Sequence, residues 1–124
     1  MEVKNLVLVV DDEPGILRFV KTSLLLAGFD VIATSNAQQA LAFARSGEPD
    51  IIVLDIYMEP LSGFDVLKEL RSFSLVPVVI VTARKEAAEM AVAQGANAYV
   101  LKPFNPDDLA HKIRDVLDEA VESD

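Results

Sequence analysis

The chain has 124 residues, which is the length of one compact domain and too short for two. Hydrophobic residues make up 52% of it, which is enough for one buried core. Eleven Lys and Arg residues against twenty Asp and Glu give a net charge of −9, so most of the surface would repel nucleic acid and anionic membranes. We therefore expect one globular domain that does not bind nucleic acid directly.

The composition also limits the chemistry of the chain. It contains no cysteine, which excludes disulfides, thiolate catalysis and cysteine-based zinc sites. The single histidine, His111, cannot form a histidine cluster, so any metal must be held by oxygen. The longest aliphatic run covers only residues 6–10, whereas a membrane span needs about 20 residues and a signal peptide also needs a longer core. These features predict a soluble, cytoplasmic protein with no membrane partner.

Five short aliphatic runs recur along the chain and are typical of β-strands. They cover residues 6–10, 31–33, 51–54, 78–81 and 99–101. Their starts lie 20 to 27 residues apart, which is room for a crossover helix and too long for a hairpin. The pattern predicts a parallel sheet with helices on both faces. The second and fifth runs are more mixed in polarity and are expected nearer the edges.

The segments between the runs carry helix signals. Pro14 favours a first helical turn, and Ser62 with Asp65 has the spacing of a capping box. Ser35 with Gln38 has the same spacing. Three glycines mark predicted helix ends: Gly28, Gly47 and Gly95. The sequence thus predicts an open α/β fold of three layers.

Polar residues follow four of the five runs. Asp11 and Asp12 follow the first run and Asp55 follows the third, while Thr82 and Lys102 follow the fourth and fifth. In open α/β sheets the ligand crevice lies beyond the carboxyl ends of the strands. We therefore expect the three carboxylates, the hydroxyl and the ammonium group to share one edge of the sheet.

A group of acids at this edge favours a metal site. Asp55 directly follows four aliphatic residues, so its carboxylate is expected to be partly desolvated beside Asp11 and Asp12. Such a cluster is costly unless a cation binds or protons are retained. Mg²⁺ suits the site better than Ca²⁺, because carboxylates, a carbonyl, waters and a phosphate oxygen complete its octahedron and the chain has no calcium-loop spacing.

Each polar residue also has a purely structural interpretation. The acids before Pro14 would cap the first helix whatever the function, although this leaves Asp55 unexplained. A threonine at a strand end, such as Thr82, commonly bonds to backbone. Lys102 alone would be an ordinary solvated lysine before a turn. Their occurrence together with Asp55 is what favours a function.

The polar residues at the strand ends also occur in a recognisable order. The motifs are the Asp11-Asp12 pair, Asp55, the Thr82-Ala83 pair, Tyr99 and the Lys102-Pro103-Phe104 run. In this order the chain resembles, over essentially its whole length, the receiver domain of bacterial two-component response regulators. The resemblance implies a flavodoxin-like, doubly wound sheet of five parallel strands in the order 2-1-3-4-5, with five helices on two faces. It also implies a single receiver domain over residues 1–124, standing alone or excised from a longer response regulator.

The resemblance further implies the roles of the site residues. Asp55 would accept a phosphoryl group from a phosphohistidine of a sensor histidine kinase or a histidine phosphotransfer protein. Asp11, Asp12, Asp55 and the backbone carbonyl of Tyr57 would hold Mg²⁺, for which Mn²⁺ can substitute, and Lys102 would offset charge on the transferred group. Phosphoryl transfer depends mainly on positioning and electrostatics, so this division is chemically sensible. The domain would assist its own phosphorylation and dephosphorylation and would not be an enzyme that turns over small molecules.

A switch is implied as well. The Thr82 hydroxyl and the Ala83 amide would be drawn to the phosphoryl group, which adds close to two negative charges, and Tyr99 would turn inward. The expected result is a population shift on the face made by the fourth helix, fifth strand and fifth helix. That shift would alter the affinity for a downstream effector domain or protein, and a phosphorylation-linked homodimer is compatible with it.

The chain departs from the family pattern in two segments. Met58 is followed by Glu59, with the proline delayed to Pro60, which predicts a reshaped turn and an added charge near the metal. The segment from Thr82 to Lys102 is slightly shorter than is usual, so the fourth helix or the loop before it is expected to be truncated.

Four positions near these segments are expected to affect the signal. The shortened segment belongs to the signalling face, which makes a standard dimer there doubtful, and Asn97 and Ala98 stand where the family often has two acids. Tyr57 and Arg84 lie two residues beyond the acceptor and the threonine, at positions that in this family influence attack of water on the phosphoaspartate. We hypothesise that the bulky Tyr57 slows this hydrolysis.

Three other classes of protein share parts of this pattern. A haloacid dehalogenase-type phosphatase needs its nucleophile after the first strand and a longer chain for its cap. A flavodoxin-type flavin carrier needs a hydroxyl- and glycine-rich phosphate loop where this chain has acids. A receiver-like module that acts without phosphorylation is favoured by the altered Glu59-Pro60 turn and the short fourth segment, and disfavoured by the intact set of site residues.

Overall fold

Strands and helices alternate along the whole of the chain that the computed structural model describes, which is residues 4–122. The strands are β1 (Leu6–Val10), β2 (Asp30–Thr34), β3 (Ile51–Asp55), β4 (Val78–Thr82) and β5 (Ala98–Leu101). The helices are α1 (Pro14–Leu26), α2 (Ala37–Arg45), α3 (Gly63–Arg71), α4 (Lys85–Ala93) and α5 (Pro106–Glu122). Within residues 4–122, no helix is both long and apolar enough to cross a membrane.

All strand pairs are parallel, and the sheet order is β2-β1-β3-β4-β5. This confirms the predicted doubly wound sheet. The two strands of mixed polarity, β2 and β5, are at the edges, where one side of each is without a neighbouring strand. Every residue of β3 and β4 is buried, as expected for strands covered on both faces.

Two apolar layers pack on opposite faces of the sheet. Alternate residues of β1 face different layers: Leu8 and Val10 join a cluster with α2, α3 and α4, whereas Val7 and Val9 join one with α1 and α5. This alternation follows from the two-residue period of a strand. Fully burying an aliphatic side chain contributes about 1.5–3 kcal/mol, so the two layers hold the central strands, and the residues at their ends, rigidly in place.

The helix starts agree with the sequence signals with one exception. Pro14 begins α1, and Ser62 and Asp65 form the predicted capping box of α3. The predicted start at Ser35 was wrong by one residue, because Asn36 caps α2 and its side chain accepts from the Gln39 amide at 2.8 Å. The Thr34 hydroxyl accepts the Asn36 amide and donates to the Gln39 side chain, which orders the turn one residue later. The predicted helix-end glycines follow α1, α2 and α4 with positive φ.

Candidate functional site

Four of the sequence-predicted site residues come together at the carboxyl edge of the three inner strands and β5. Asp55 and Thr82 are the last residues of β3 and β4, and Asp11 and Lys102 directly follow β1 and β5. The register pairs Val10 with Leu54, so Asp11 and Asp55 leave the sheet side by side. The sheet topology therefore brings together side chains that are up to 91 residues apart in sequence.

The acids form one compact cluster. One carboxylate oxygen from each of Asp11, Asp12 and Asp55 lies within 4.8 Å of the others. Asp11 and Asp55 are only 4% and 3% exposed, and Asp12 is half-buried. Three carboxylates this close repel one another strongly where water is excluded. The donor set consists only of hard oxygen ligands, which is the set that a divalent cation such as Mg²⁺ requires.

The buried carboxyl of Asp55 has a strongly shifted pKa. The pKa of Asp55 is raised from 3.8 to about 6, mainly by burial of the carboxylate and in addition by the neighbouring charge of Asp11. The attraction and hydrogen bond of Lys102, and a hydrogen bond from the Tyr57 amide, act in the opposite direction and are too weak to cancel the effect. The folded protein therefore holds an ionised Asp55 at a cost in free energy.

Lys102 is the cation that faces this cluster. Its Nζ lies 3.4 Å from Asp11 Oδ2 and 3.6 Å from Asp55 Oδ1, and its side chain is 18% exposed. The position lets one ammonium group interact with both buried acids while it keeps contact with solvent. An incoming anionic group between Lys102 and Asp55 would meet positive charge on one side.

Backbone contacts fix the positions of the acids. The Glu13 amide donates to Asp11 Oδ1 at 2.9 Å, and the Gly63 amide donates to the carbonyl of Ile56 at 2.8 Å. A Cβ at Gly63 would lie 2.3 Å from the Asp55 carbonyl oxygen, so only glycine lets the start of α3 approach β3 this closely. Sequence reasoning missed this role, because a spacing pattern shows that a glycine is present and not what its backbone touches.

The two switch residues lie on the neighbouring strands β4 and β5. Thr82 is 1% exposed, and its hydroxyl accepts a hydrogen bond from the Arg84 amide at 3.3 Å. Ala83 and Arg84 are exposed. Tyr99 is half-buried on β5 and packs against the apolar layer that contains α3 and α4. The Thr82 hydroxyl is thus engaged with its own loop and not with Asp55.

The loop after β3 places its residues in different environments. Tyr57 is 55% exposed, whereas Met58 is buried in the core. Glu59 and Pro60 are exposed and joined by a cis peptide bond. Among the described residues, the carboxylates close enough to share a metal belong to Asp11, Asp12 and Asp55, so the structure does not bring Glu59 into that group.

An apolar cavity that the sequence did not reveal lies beside Lys102. Its volume is about 330 Å³, and it is lined by Ile16, Phe19, Ala83, Lys102, Pro103 and Phe104. Phe19 is half exposed on α1. An apolar residue of an amphipathic helix reads as a core position in the sequence, so no sequence signal distinguishes an exposed Phe19 from a buried one.

Comparison with known protein families agrees with the grouping of residues at the carboxyl edge of the sheet. Residues 7–114 match the response regulator receiver domain. The chain belongs to the response regulator receiver domain family. This confirms the resemblance seen in the sequence, and the chain is accordingly a receiver domain of two-component response regulators. Receiver domains generally bind Mg²⁺ at an acidic cluster of the kind that Asp11, Asp12 and Asp55 form here.

Individual relatives support the same family. The chain is 42% identical over 119 residues to the probable transcriptional regulator ycf27 of Porphyra purpurea, covering 94% of this chain and 49% of that protein. It is 40% identical over 112 residues to the transcriptional regulatory protein KdpE of Mycobacterium tuberculosis, covering 89% and 50%. The receiver domain thus spans about half the length of these curated relatives.

Solved receiver domains share the complete fold. A CheY-like response regulator receiver domain protein from Methanospirillum hungatei superposes with a TM-score of 0.90 at 28% identity. The match covers 98% of this chain and 100% of that one. The five-stranded parallel sheet is therefore the architecture of the family and not a peculiarity of this chain.

Proposed function

We propose that this receiver domain is a phosphorylation-dependent switch in a two-component phosphorelay, with Asp55 as phosphoacceptor. The observation that carries the proposal is the Asp55 carboxylate itself, which is buried, flanked by Asp11 and Asp12, and faced by the Lys102 ammonium at 3.6 Å. A carboxylate in that position is a nucleophile held in place beside the charges that phosphoryl transfer requires. The donor would be a phosphohistidine of a sensor histidine kinase or a histidine phosphotransfer protein.

The acidic cluster is proposed to hold Mg²⁺, or Mn²⁺ in its place. Asp11, Asp12, Asp55 and the backbone carbonyl of Tyr57 are the ligands in this proposal, with waters and a phosphoryl oxygen completing the shell. When bound, the cation supplies positive charge that offsets the charge developing on the transferred group. Lys102 supplies the second positive charge from the opposite side. The strong mutual repulsion of the three carboxylates supports a cation site.

The switch is proposed to begin at Thr82. A phosphoryl group on Asp55 offers strong acceptor oxygens, to which the Thr82 hydroxyl and the Ala83 amide would donate. Tyr99 would then turn inward, and the face made by α4, β5 and α5 would change its affinity for partners. Tyr57, Glu59 and Arg84 are proposed to modulate the lifetime of the phosphorylated state.

The partners follow from the place of receiver domains in response regulators. We propose one receiver domain over residues 1–124 that acts through an effector domain or an effector protein, either as a separate protein or within a longer one. The relatives named above are transcriptional regulators of twice this length. A net charge of −9 supports nucleic acid contact by an effector and not by this domain. A homodimer formed on phosphorylation is one form that the output can take.

The test is chemical phosphorylation of the intact protein. The parent and an Asp55→Asn variant are incubated with Mg²⁺ and acetyl phosphate, and their intact masses are measured. A hydroxylamine-labile phosphoryl adduct on the parent alone supports the proposal. If no adduct forms, also with a histidine kinase donor, and beryllofluoride does not bind, the chain is instead a receiver-like interaction module that acts without phosphorylation.

A further inference from the structure

The edge strand β5 carries Tyr99 and leads directly to Lys102, yet it pairs with β4 alone. Its pairing begins at Asn97, immediately before the strand. The Asn97 amide donates to the Val78 carbonyl at 2.8 Å, and the Asn97 side-chain oxygen accepts the Val78 amide at 2.9 Å. Both backbone groups of Val78 are thus occupied by one residue. At the other end of the strand, the Lys102 amide donates to the Thr82 carbonyl at 2.9 Å.

Arg71, the last residue of α3, also bonds to Asn97 and to the loops that precede β4 and β5. Its Nη2 donates to the same Asn97 oxygen at 3.2 Å, its Nε donates to the Gly95 carbonyl at 3.0 Å, and its Nη1 donates to the Ser74 carbonyl at 3.2 Å. One rigid guanidinium therefore ties α3, the loop before β4 and the loop before β5 to each other. Its planar fork of donors is suited to such a role, whereas the lysine ammonium is not.

The Arg71 side chain is half-buried and packs closely against Gly95, where a Cβ would approach it to 3.3 Å. At the other end of α4, the N-cap residue Arg84 makes no side-chain capping bond. Arg71 therefore holds the α4–β5 segment at the end of α4 that precedes β5.

We propose that Arg71 and Asn97 act as one register lock for the edge strand β5, and that Arg71 thereby acts as a positioning residue for Lys102. The second half of this statement rests on the proposed function. The four residues of β5 separate Asn97 from Lys102, about 16 Å of extended chain, and the strand is stiffened by its pairing with β4. Lys102 Nζ lies 3.4 and 3.6 Å from its two acids, so small movements of β5 change these interactions directly.

The experiment compares Arg71→Met, Asn97→Ala, the double variant and the conservative Arg71→Lys with the parent. Arg45→Met is the matched control, because Arg45 is likewise an arginine at the end of a helix that bonds to another element. It pairs with Glu69 of α3 and lies over the Phe73 ring, and these contacts do not involve the β5 segment. Amide hydrogen exchange at Asn97 and Lys102 reports the lock. The rate of phosphorylation by acetyl phosphate reports the position of Lys102, and Mg²⁺ affinity reports whether the acidic cluster is intact.

In Arg71→Met and Asn97→Ala, we expect these two amides to exchange about three- to tenfold faster, the range of one lost hydrogen bond in a partly exposed site. The double variant should show the same increase as the stronger single variant, because the two residues act as a unit. Phosphorylation should slow by about threefold or more and Mg²⁺ affinity should change less, since Asp11 and Asp12 directly follow β1 and Asp55 ends β3, strands that Arg71 does not anchor. Arg71→Lys should behave like Arg71→Met, and Arg45→Met like the parent.

The lock is overturned if the Asn97 and Lys102 amides exchange at an unchanged rate in Arg71→Met. It is also overturned if the rate increases of the two single variants multiply in the double variant. Faster exchange with an unchanged phosphorylation rate would overturn the positioning role alone. The same loss of phosphorylation in Arg45→Met would show a general loss of stability and overturn it as well. If the parent itself is not phosphorylated, the proposed function fails, and hydrogen exchange still decides whether Arg71 and Asn97 lock the strand.

Discussion

The buried charge of Asp55 should make the metal-free protein less stable than a variant without that charge. Asp55→Asn replaces the carboxylate by a neutral group of the same shape, which mimics the protonated acid. In the folded protein the pKa of Asp55 is raised from 3.8 to about 6, so the folded state binds the proton more tightly than the unfolded chain. Stability contributed by this proton is present in acid and is lost as the pH rises through that window.

The magnitude follows from the same two pKa values. Each pKa unit corresponds to about 1.4 kcal/mol, so the ionised carboxylate costs about 3 kcal/mol at about pH 7.5 and about 1.5 kcal/mol at about pH 5. Asp55→Asn should be more stable than the parent by about these amounts in EDTA. The difference at the higher pH corresponds to an increase of about 1–3 M in the midpoint of urea unfolding.

Urea unfolding followed by circular dichroism, at both pH values and with or without Mg²⁺, measures the effect. Mg²⁺ should stabilise the parent and have a much smaller effect on Asp55→Asn, because a ligand of the proposed site is lost. Asp115→Asn, an exposed carboxylate on α5, is the control and should lie within about 0.5 kcal/mol of the parent. The reasoning is refuted if Asp55→Asn is no more stable than the parent in EDTA near neutral pH, or if its gain does not shrink in acid.

Three further substitutions test separate parts of the site. Gly63→Ala should destabilise the fold by about 1–3 kcal/mol in urea unfolding, because its Cβ would meet the Asp55 carbonyl oxygen at 2.3 Å. Gly15→Ala is the control and should be neutral or stabilising, because its Cβ would have no atom within 4 Å. Equal effects of the two substitutions would contradict the close approach at Gly63. Lys102→Met should raise the pKa of Asp55 further and slow phosphorylation by acetyl phosphate by about 10–100-fold, and an unchanged rate would exclude the proposed role of the ammonium. Tyr57→Asn should shorten the phosphoaspartate lifetime at equal Mg²⁺, since a large side chain beside the site is proposed to hinder water; a longer lifetime would contradict this.

The sheet could be predicted from the sequence because the residues of each strand indicate by themselves how that strand is buried. A strand buried on both faces needs a continuous aliphatic run, and β3 and β4 have one, whereas the polar and apolar mixture of β2 and β5 predicts edge positions. The site was predictable for a related reason. In a parallel sheet all carboxyl ends meet at one edge, so a residue directly after a strand is placed without knowledge of any side-chain contact.

What the sequence could not predict depends on contacts between distant segments. Arg71 and Asn97 are 26 residues apart, and neither lies in a motif that specifies a partner. The sequence indicates Asn97 only as the loss of an acid from the signalling face, whereas in the structure its side-chain oxygen accepts bonds from β4 and α3. The predicted start of α2 was wrong for the same reason. Both Ser35 and Asn36 are good caps, and the hydrogen bond of the Thr34 hydroxyl to the Asn36 amide decides between them.

The acidic cluster and the lock on β5 have opposite effects on stability, and this difference bears on the switch. Ionisation of Asp55 is expected to lower stability by about 3 kcal/mol near neutral pH, a substantial part of the roughly 5–15 kcal/mol that holds a domain together. It is tolerated because β1 and β3 are fixed by apolar layers on both faces. The edge strand β5 pairs with β4 alone, and the bonds of Asn97 add to that pairing. If Asp55 is phosphorylated as proposed, the change of charge would act on a rigid centre, and we expect β5 with its flanking loops to respond.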